Sequence, residues 1–470
     1  MTLHQPVDST TETAARTPSS TTSEQEPSRP TTPPTRTGEP ATTVAEQIAP
    51  LLCGLLGTEP TGVGLHVRFE FWDGSTFGSP TTDEVVRVNS SDALRRLLWS
   101  PDELGLGRAY VAGDIDIDGD VFTLIATLRD RTPKNMTFRA RDVAATIAAA
   151  RRLGVVGRPL QPPPEEARPR GLRRHSKARD AKVISHHYDV GNDFYRIVLG
   201  PSMTYSCARF VDPSVDLATA QASKHDLVCR KLGLHDRPGQ RLLDVGCGWG
   251  SMALHAAQHY GASVVGITIS EAQASFARRR IAEAGLADQI EIRLQDYRDL
   301  GSETFDAISS IGMSEHVGSE RIDTYFEGLR AVLGPHGRLL NHAISSVNGS
   351  KLGRRSFTYR SVFPDGELLD VGDTVRSMER AGFEVRDVEC LREHYARTLR
   401  NWVANLETEW ERAVELAGEA RAKVWRLYMA GSAVGFEDGG ISLHQVLGVV
   451  PDSTGASAMP PTRDAWTTAV

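Results

Sequence analysis

The stretch 241-RLLDVGCGWG-250 decides how the rest of the chain is read. Arg241 to Val245 reads as a short buried strand, and the glycines at 246, 248 and 250 let the backbone turn sharply into a helix predicted to begin near Ser251. Glycines permit close approach of a ligand, and the N–H groups at the start of the helix face whatever lies in the crevice beyond the strand. A strand, a glycine turn and a helix make a nucleotide cradle, although the same glycines would serve a tight turn with no ligand at all. The spacing G-C-G-W-G departs from the G-x-G-x-x-G fingerprint, and G-x-x-x-x-G-K-[ST] is absent from the sequence. That argues against NAD and ATP and favours an adenosine-type ligand.

Moving outward, the helix 251-SMALHAAQHY-260 is followed by ASVVGITIS, a second strand whose end carries Thr268, Ser270 and Gln273. QIEIRLQDYRDL runs from an alternating third strand into Gln295, Asp296 and Tyr297, where a carboxylate and an aromatic could hold and cover an adenine. FDAISSIGMSEHVG gives a fourth strand ending at Gly312 to Glu315. In open α/β sheets the ligand lies outside the carboxyl ends of neighbouring strands, so all four ends face one crevice.

In this order and spacing, DVGCGWG, GITIS with Gln273, LQDYRD and IGMSEHVG resemble the S-adenosylmethionine-dependent cyclopropane fatty acid synthases and mycolic acid methyltransferases, from about residue 60 to 450. PDELGLGRAYVAGD, PPPEEARPR, HSKARDA, LLNHAIS and HYARTLRNW look most like the branch that makes 10-methylene precursors of 10-methyl, tuberculostearic-type fatty acids. The resemblance implies a class I, Rossmann-like methyltransferase with a seven-stranded, mostly parallel α/β sheet and a small mixed α+β N-terminal domain. It implies cofactor contacts from Tyr205, Ser206, Asp244, Gly246, Gly248, Trp249, Gly250, Thr268, Gln273, Asp296 and Tyr297. It also implies a bound bicarbonate ion as catalytic base, held by Cys207, Glu315, His342 and Tyr395 with the backbone of Gly312.

The implied reaction puts a one-carbon unit on the cis double bond of an oleoyl chain in a phospholipid. An alkene is a weak nucleophile, but a sulfonium methyl is a strong electrophile with a neutral leaving group. The site must hold donor and alkene in line, exclude water from the resulting carbocation and take one proton. A lone carboxylate or histidine in an apolar pocket is driven toward its neutral form, which makes either a poor base. Ring closure would give a cyclopropane; a hydride shift before proton loss would give an exocyclic methylene. Met313, Ser314 and Ile344 are expected to shape that choice, and Ser314 and Ser432 stand where many relatives carry an aromatic and a cysteine. A methylene product would require a separate flavin- or nicotinamide-dependent reductase. The resemblance further implies a homodimer. Taken singly, each site residue has a plainer reading: Tyr205 in a core, His342 satisfied within a strand, Glu315 as a helix cap, Tyr395 on a helix face.

The 470 residues carry a net charge of -7 and are 40% hydrophobic, which fits a soluble protein with a large core and argues against a nucleic-acid partner. No apolar run reaches the roughly 18 residues of a membrane span, and the N-terminus lacks a secretory apolar region. Cysteines at 53, 207, 229, 247 and 390 include no C-x-x-C pair, so a reducing cytoplasm is expected, with the protein peripheral on the inner face of the membrane. Residues 1–43, rich in Thr, Ser and Pro, read as a disordered tail. Residues 44–152 form the N-terminal domain, with a hairpin in GLHVRFEFWDGSTFG and a helix in SDALRRLLW opened by Ser90 or Ser91. DIDIDGD imitates a calcium loop but has Ile125 at the twelfth position, so it reads as an edge strand, and no metal site is expected. A helix is expected in RDVAATIAAARRLG, followed by a Pro/Arg linker over 153–180. There Arg168, Arg170, Arg173, Arg174, Lys177 and Arg179 could meet the anionic headgroups of a membrane surface, or could equally be a solvated linker. The methyltransferase domain spans 181–455 and a tail 456–470; apolar stripes in LRNWVANLETEWERAVELAG and WRLYMAGSAVGF suit an acyl tunnel. Two other classes remain open, a non-catalytic lipid-binding protein and a small-molecule methyltransferase.

Overall fold

Strand β5 (Arg241–Val245) is buried from Leu242 onward and lies in the middle of the larger of two sheets. The structure, a computed structural model, describes residues 42–467 except 57, 59–61, 63, 132–146, 168–175, 178, 181–189 and 237–238. The expected disordered tail up to residue 41, and Arg168, Arg170, Arg173 and Arg174, lie outside the described residues.

Beside β5 run β6 (Ser263–Thr268) and then β7 (Ile290–Leu294); on its other side run β8 (Phe305–Ile311) and β9 (Leu333–Ser346). These five strands are parallel. β12 (Ile441–Val449) inserts antiparallel between β9 and β11 (Glu384–Cys390), and the two-residue β10 (Leu369–Asp370) adds to the end of β9. The expected seven-stranded, mostly parallel sheet is therefore present, with β10 as an eighth, minimal strand. The chain winds outward through β6 and β7, then returns to β8, so the direction of winding reverses between β5 and β8. A crevice opens at such a point. Apolar clusters cover both faces: Leu242, Val264 and Ile292 on one, Leu243, Val265 and Ile308 on the other.

The small sheet has the order β2-β1-β3-β4, with β1 (Arg68–Phe71), β2 (Thr76–Gly78), β3 (Val85–Val88) and β4 (Ile115–Asp118). β1 and β2 form the expected antiparallel hairpin, and DIDIDGD supplies the edge strand β4. Ser90 accepts a hydrogen bond from the Asp92 amide and so starts the helix Ser91–Trp99. In the Ala-rich segment residues 147–152 are helical.

The two sheets meet along a seam. Helix Glu419–Glu437 packs on helices Glu103–Val111 and Val121–Arg131. Lys423 pairs with Asp116 at 2.8 Å, and Arg426 donates to the Tyr110 hydroxyl at 3.1 Å. Glu166, from the stretch read as a linker, is buried between Arg108 (2.7 Å) and Arg360 (2.6 Å), one on each side. Two linker cations also have partners within the chain: Lys177 binds Asp299 at 2.6 Å and Arg179 binds Asp365 at 2.5 Å. No helix among the described residues is long and apolar enough to cross a membrane.

Candidate functional site

Backbone conformation at the glycine turn explains its composition. Gly246 has φ +75° and Gly248 φ +53°, the left-handed region that side chains disfavour. A Cβ on Gly246 would lie 2.4 Å from the Met313 sulfur, whereas one on Gly248 would meet nothing, because that residue faces open space. The space is a cavity of about 1480 Å³, larger than the roughly 300–1,000 Å³ of a drug-sized ligand site.

Thirteen of the sixteen expected site residues line this cavity. Tyr205, Ser206, Asp244, Gly246, Gly248 and Trp249 form the cradle end. Thr268 and Gln273 come from the end of β6, Asp296 and Tyr297 from β7, Gly312 and Glu315 from β8, and Tyr395 from helix Arg392–Thr408. Gly250, Cys207 and His342 are outside the cavity wall. Gly250 instead backs onto Ala277, where an added Cβ would come within 3.2 Å.

The cradle has a free acceptor. Asp244 Oδ1 accepts from the Ser309 hydroxyl at 2.6 Å, while Oδ2 is buried with no hydrogen-bond partner among the described residues. Burial pushes the carboxyl up to about 6, against the Ser309 bond and the Lys224 charge. Thr268 donates to Gln273 Oε1 at 2.8 Å, fixing that side chain. At Asp296, burial works to raise the pKa, but Arg298 binds both oxygens (2.7 and 2.6 Å) and holds it below the usual range. Tyr205 packs among Trp402, Trp425 and Tyr195, with ring centroids 5.4 to 5.9 Å away, so it belongs to an aromatic core as well as to the cavity.

The expected catalytic residues fall into two bonded groups. The β8–β9 pairing sets Ile311 opposite His342; the Gly312 amide donates to the His342 carbonyl at 2.8 Å, and the Ile344 amide to Glu315 Oε1 at 2.8 Å. Cys207 Sγ lies 3.7 Å from the Leu391 carbonyl, which also accepts from the Tyr395 amide at 3.1 Å. The Leu391 amide donates to Leu443, which pairs with Ile344, so β12 joins the two groups. Glu315 Oε2 and His342 Nε2 are buried and unpartnered among the described residues. Burial pushes Glu315 up to about 7. Burial and the charges of Lys224 and Lys231 hold His342 well below its ordinary value, as a neutral ring. Its Nδ1 faces the Gln445 amide nitrogen at 3.2 Å; with that amide donating, the ring proton sits on Nε2. A buried donor and a buried acceptor are thus without hydrogen-bond partners among the described residues. The Cys207 thiol is fully buried and burial pushes its pKa up, so it is a neutral thiol. Ser314, expected in the pocket wall, is instead buried against Asn341 at 2.9 Å; Met313, Ile344 and Ser432 do line the cavity.

Lys224 was not anticipated from the sequence. It is 1% exposed, lines the cavity and reaches the Ser206 hydroxyl at 3.0 Å, while Gln221 donates to the Ser206 carbonyl at 2.8 Å. The helix Leu217–Leu232 thereby fixes the Tyr205–Cys207 segment. The available signal was its apolar stripe, Ala220, Leu227 and Val228, on which a lysine at 224 also falls. Burial lowers Lys224 to about 7, against the nearby Cys207 and Asp244. Because the folded value lies below 10.5, stability from this group is complete above pH 10.5 and is lost as pH falls through 7. Lys224→Met is therefore expected to raise the melting temperature at pH 6.5 by several degrees, with the gain shrinking toward pH 10. A gain independent of pH in calorimetric scans would contradict this assignment.

Residues 175–446 match the family of the mycolic acid cyclopropane synthetases. A "Probable fatty acid methyltransferase" of Mycobacterium tuberculosis is 42% identical over 412 residues, covering 85% of this chain and 95% of its own. The cyclopropane-fatty-acyl-phospholipid synthase of Escherichia coli K12 is 34% identical over 374 residues, covering 79% of this chain and 88% of its own. Among solved structures, a Mycobacterium tuberculosis cyclopropane synthase superposes with a TM-score of 0.55 at 32% identity, covering 57% of this chain and 98% of that one. A mycolic acid cyclopropane synthase complexed with SAH and CTAB gives 0.54 at 33% identity, over 59% of this chain and 99% of that one. The glycine cradle, the strand order and these matches have one source: the chain belongs to the mycolic acid cyclopropane synthetase family of S-adenosylmethionine-dependent methyltransferases.

Proposed function

We propose that the protein adds a one-carbon unit to the cis double bond of a phospholipid-bound oleoyl chain, giving a 10-methylene chain that a separate flavin- or nicotinamide-dependent reductase converts to 10-methylstearate. The observation that carries this reading is one largely apolar cavity that begins at the glycine cradle and reaches Glu315, whose Oε2 is buried and unpartnered among the described residues.

S-adenosylmethionine, when bound, would supply an electrophilic methyl group, the pair of the broken methyl–sulfur bond staying on sulfur as neutral S-adenosylhomocysteine leaves. The backbone at Gly246 and Gly248, the free Asp244 Oδ2, Gln273 and Tyr297 are the groups placed to hold it. The alkene's π electrons form the new carbon–carbon bond, leaving a cation on the neighbouring carbon of the acyl chain. Met313, Ile344, Leu399 and Phe436 line the cavity and give such a cation an apolar wall that offers water no partners. A hydride moves between the former alkene carbons, and loss of one proton from the added methyl completes the exocyclic double bond. Bicarbonate, when bound, would take that proton. Of the residues that would hold such an anion, Glu315, whose Oε2 can accept from its hydroxyl, Tyr395 and Gly312 line the cavity, whereas His342 and Cys207 lie behind its wall. The reading extends to a homodimer and to contact with the membrane surface that holds the substrate.

Support for a methyl-type product over a cyclopropane comes from the relatives. Those named fatty acid methyltransferases, from Mycobacterium tuberculosis and Pseudomonas putida, are 42% and 38% identical, against 34% for the Escherichia coli cyclopropane synthase. Purified protein incubated with methyl-labelled cofactor and dioleoyl phospholipid is expected to give a labelled acyl chain that takes up two hydrogens on mild catalytic reduction. A labelled chain resistant to reduction would assign the cyclopropane reaction instead, and absence of label from lipid would overturn both.

A further inference from the structure

We infer that the interior of the small N-terminal domain is the receptacle for the methyl-terminal half of the substrate acyl chain. This rests on the acyl-chain reading above and assigns the domain a part in binding.

The cavity does not end at the reaction centre. From Glu315 and Tyr395 it passes Phe357 and Tyr428, crosses the seam at Tyr110 and Ile117, and continues inside the small domain. Ile117 packs against both the central core and the core of the small domain, so it marks the throat. Beyond it, one face of the small sheet is turned to the cavity in two cross-strand rows, Phe69–Val86–Ile117 and Phe71–Val88–Ile115. Period-two alternation puts these six side chains together, and in an ordinary domain that face would be filled by side chains from an opposing helix. Ile48 and Leu56 of helix Val44–Leu56 and Leu124 pack into the same cluster and share the cavity wall, and helix Ser91–Trp99 adds Leu94 and Leu97, both only half-buried.

The chemistry of the wall selects the occupant. Among the described residues of this domain that line the cavity, the charged ones are Asp102, Glu103 and Arg129. Each is engaged across the seam: Asp102 with Arg355 at 3.4 Å, Glu103 with the Phe357 amide at 3.2 Å, Arg129 with Asp438 at 2.8 Å. Apart from the Tyr110 hydroxyl, already bound to Arg426, the remaining side chains are hydrocarbon, which gives water no partners and offers a phosphate or a headgroup nothing to bind. A chain whose double bond sits at Glu315 must extend past the reaction centre on both sides. Its headgroup end needs polar surroundings, so the methyl end is the one that fits this lobe.

The test uses the full-length protein with Leu94→Trp, which fills the lobe far from the cradle, and Leu97→Trp as the second variant should the first not fold. Binding is read by the fluorescence of cis-parinaric acid, and selectivity by competition between hexadecenoyl and octadecenoyl phospholipids. The expected result is an affinity for the probe reduced about tenfold or more and a preference shifted at least as far toward the shorter chain, with cofactor binding unchanged. A folded variant with wild-type probe affinity and wild-type chain preference would overturn the assignment, as would an equal loss on every chain length. If wild-type protein labels no lipid while Leu94→Trp still weakens probe binding, the receptacle stands and the reaction assignment fails.

Discussion

Glu315→Gln is expected to lower turnover on monounsaturated phospholipid by roughly 10²–10³-fold while raising thermal stability at pH 8. The amide keeps the shape of the side chain and its carbonyl can still accept from the Ile344 amide, so the strand end stays in place. What disappears is the orphaned acceptor at Oε2 and the ability to carry charge. The stability change has the opposite sign to the activity change for an electrostatic reason. The folded pKa of Glu315, about 7, lies above the 4.5 of an open chain. Its contribution is therefore fully present below pH 4.5 and is lost as pH rises through 7, a decline on the order of 3 kcal/mol over that window. Glutamine, which is always neutral, abolishes that decline. Melting curves from pH 5 to 8 should converge at the acid end and separate at the alkaline end. A variant that turns over lipid at the wild-type rate would remove Glu315 from the chemistry and revive the non-catalytic lipid-binding reading.

Glu166→Ala is expected to cost about 2 kcal/mol and to loosen the small domain. Its carboxylate is 2% exposed and bridges Arg108 and Arg360, which are 22% and 38% exposed. Removing one member of a fully buried pair costs about 3–5 kcal/mol, and the partial hydration of the two arginines reduces that here. Burial works to raise the Glu166 pKa, but the two guanidinium groups more than offset it and hold it below its ordinary 4.5. Its contribution is thus present above 4.5 and lost as pH falls below it. Limited proteolysis should cut the variant between the two sheets faster than wild type, and cis-parinaric acid should bind more weakly. An unchanged melting temperature together with an unchanged proteolytic pattern would show that Glu166 does not hold the seam.

Much of this was legible in the sequence, for identifiable reasons. The strands β5 to β8 announce themselves because each is a short apolar run ending in polar or glycine residues, and their order fixes one crevice. Glycines at 246 and 248 are forced by their backbone angles, so they were readable one residue at a time. His342 and Cys207 were harder to place: their neighbours in sequence said which strand or turn carried them, but the depth of that element behind the cavity wall depends on packing across β12. Lys224 stayed hidden because a lysine in a helix is ordinarily read as solvated, and only the long-range contact with Ser206 shows that it is inside. Nor could the sequence reveal the hydrocarbon lobe. The alternation in HVRFEF predicts an apolar sheet face correctly, but not that the face borders a cavity shared with the larger sheet.

The seam also bears on how such a protein can be inherited. Helix Glu419–Glu437 presents Lys423 and Arg426 to acceptors in the small domain, and its flank packs against two helices of that domain. The solved cyclopropane synthase with the 0.55 superposition is matched along nearly its full length by just over half of this chain. A lineage that gained or shed the front segment would have to repaint this one helix in the same step, exchanging bare hydrocarbon for a water-compatible surface, while Lys423 and Arg426 would keep only Glu419 and Glu407. The front segment here is thus a structural commitment of the whole chain, not a detachable appendage.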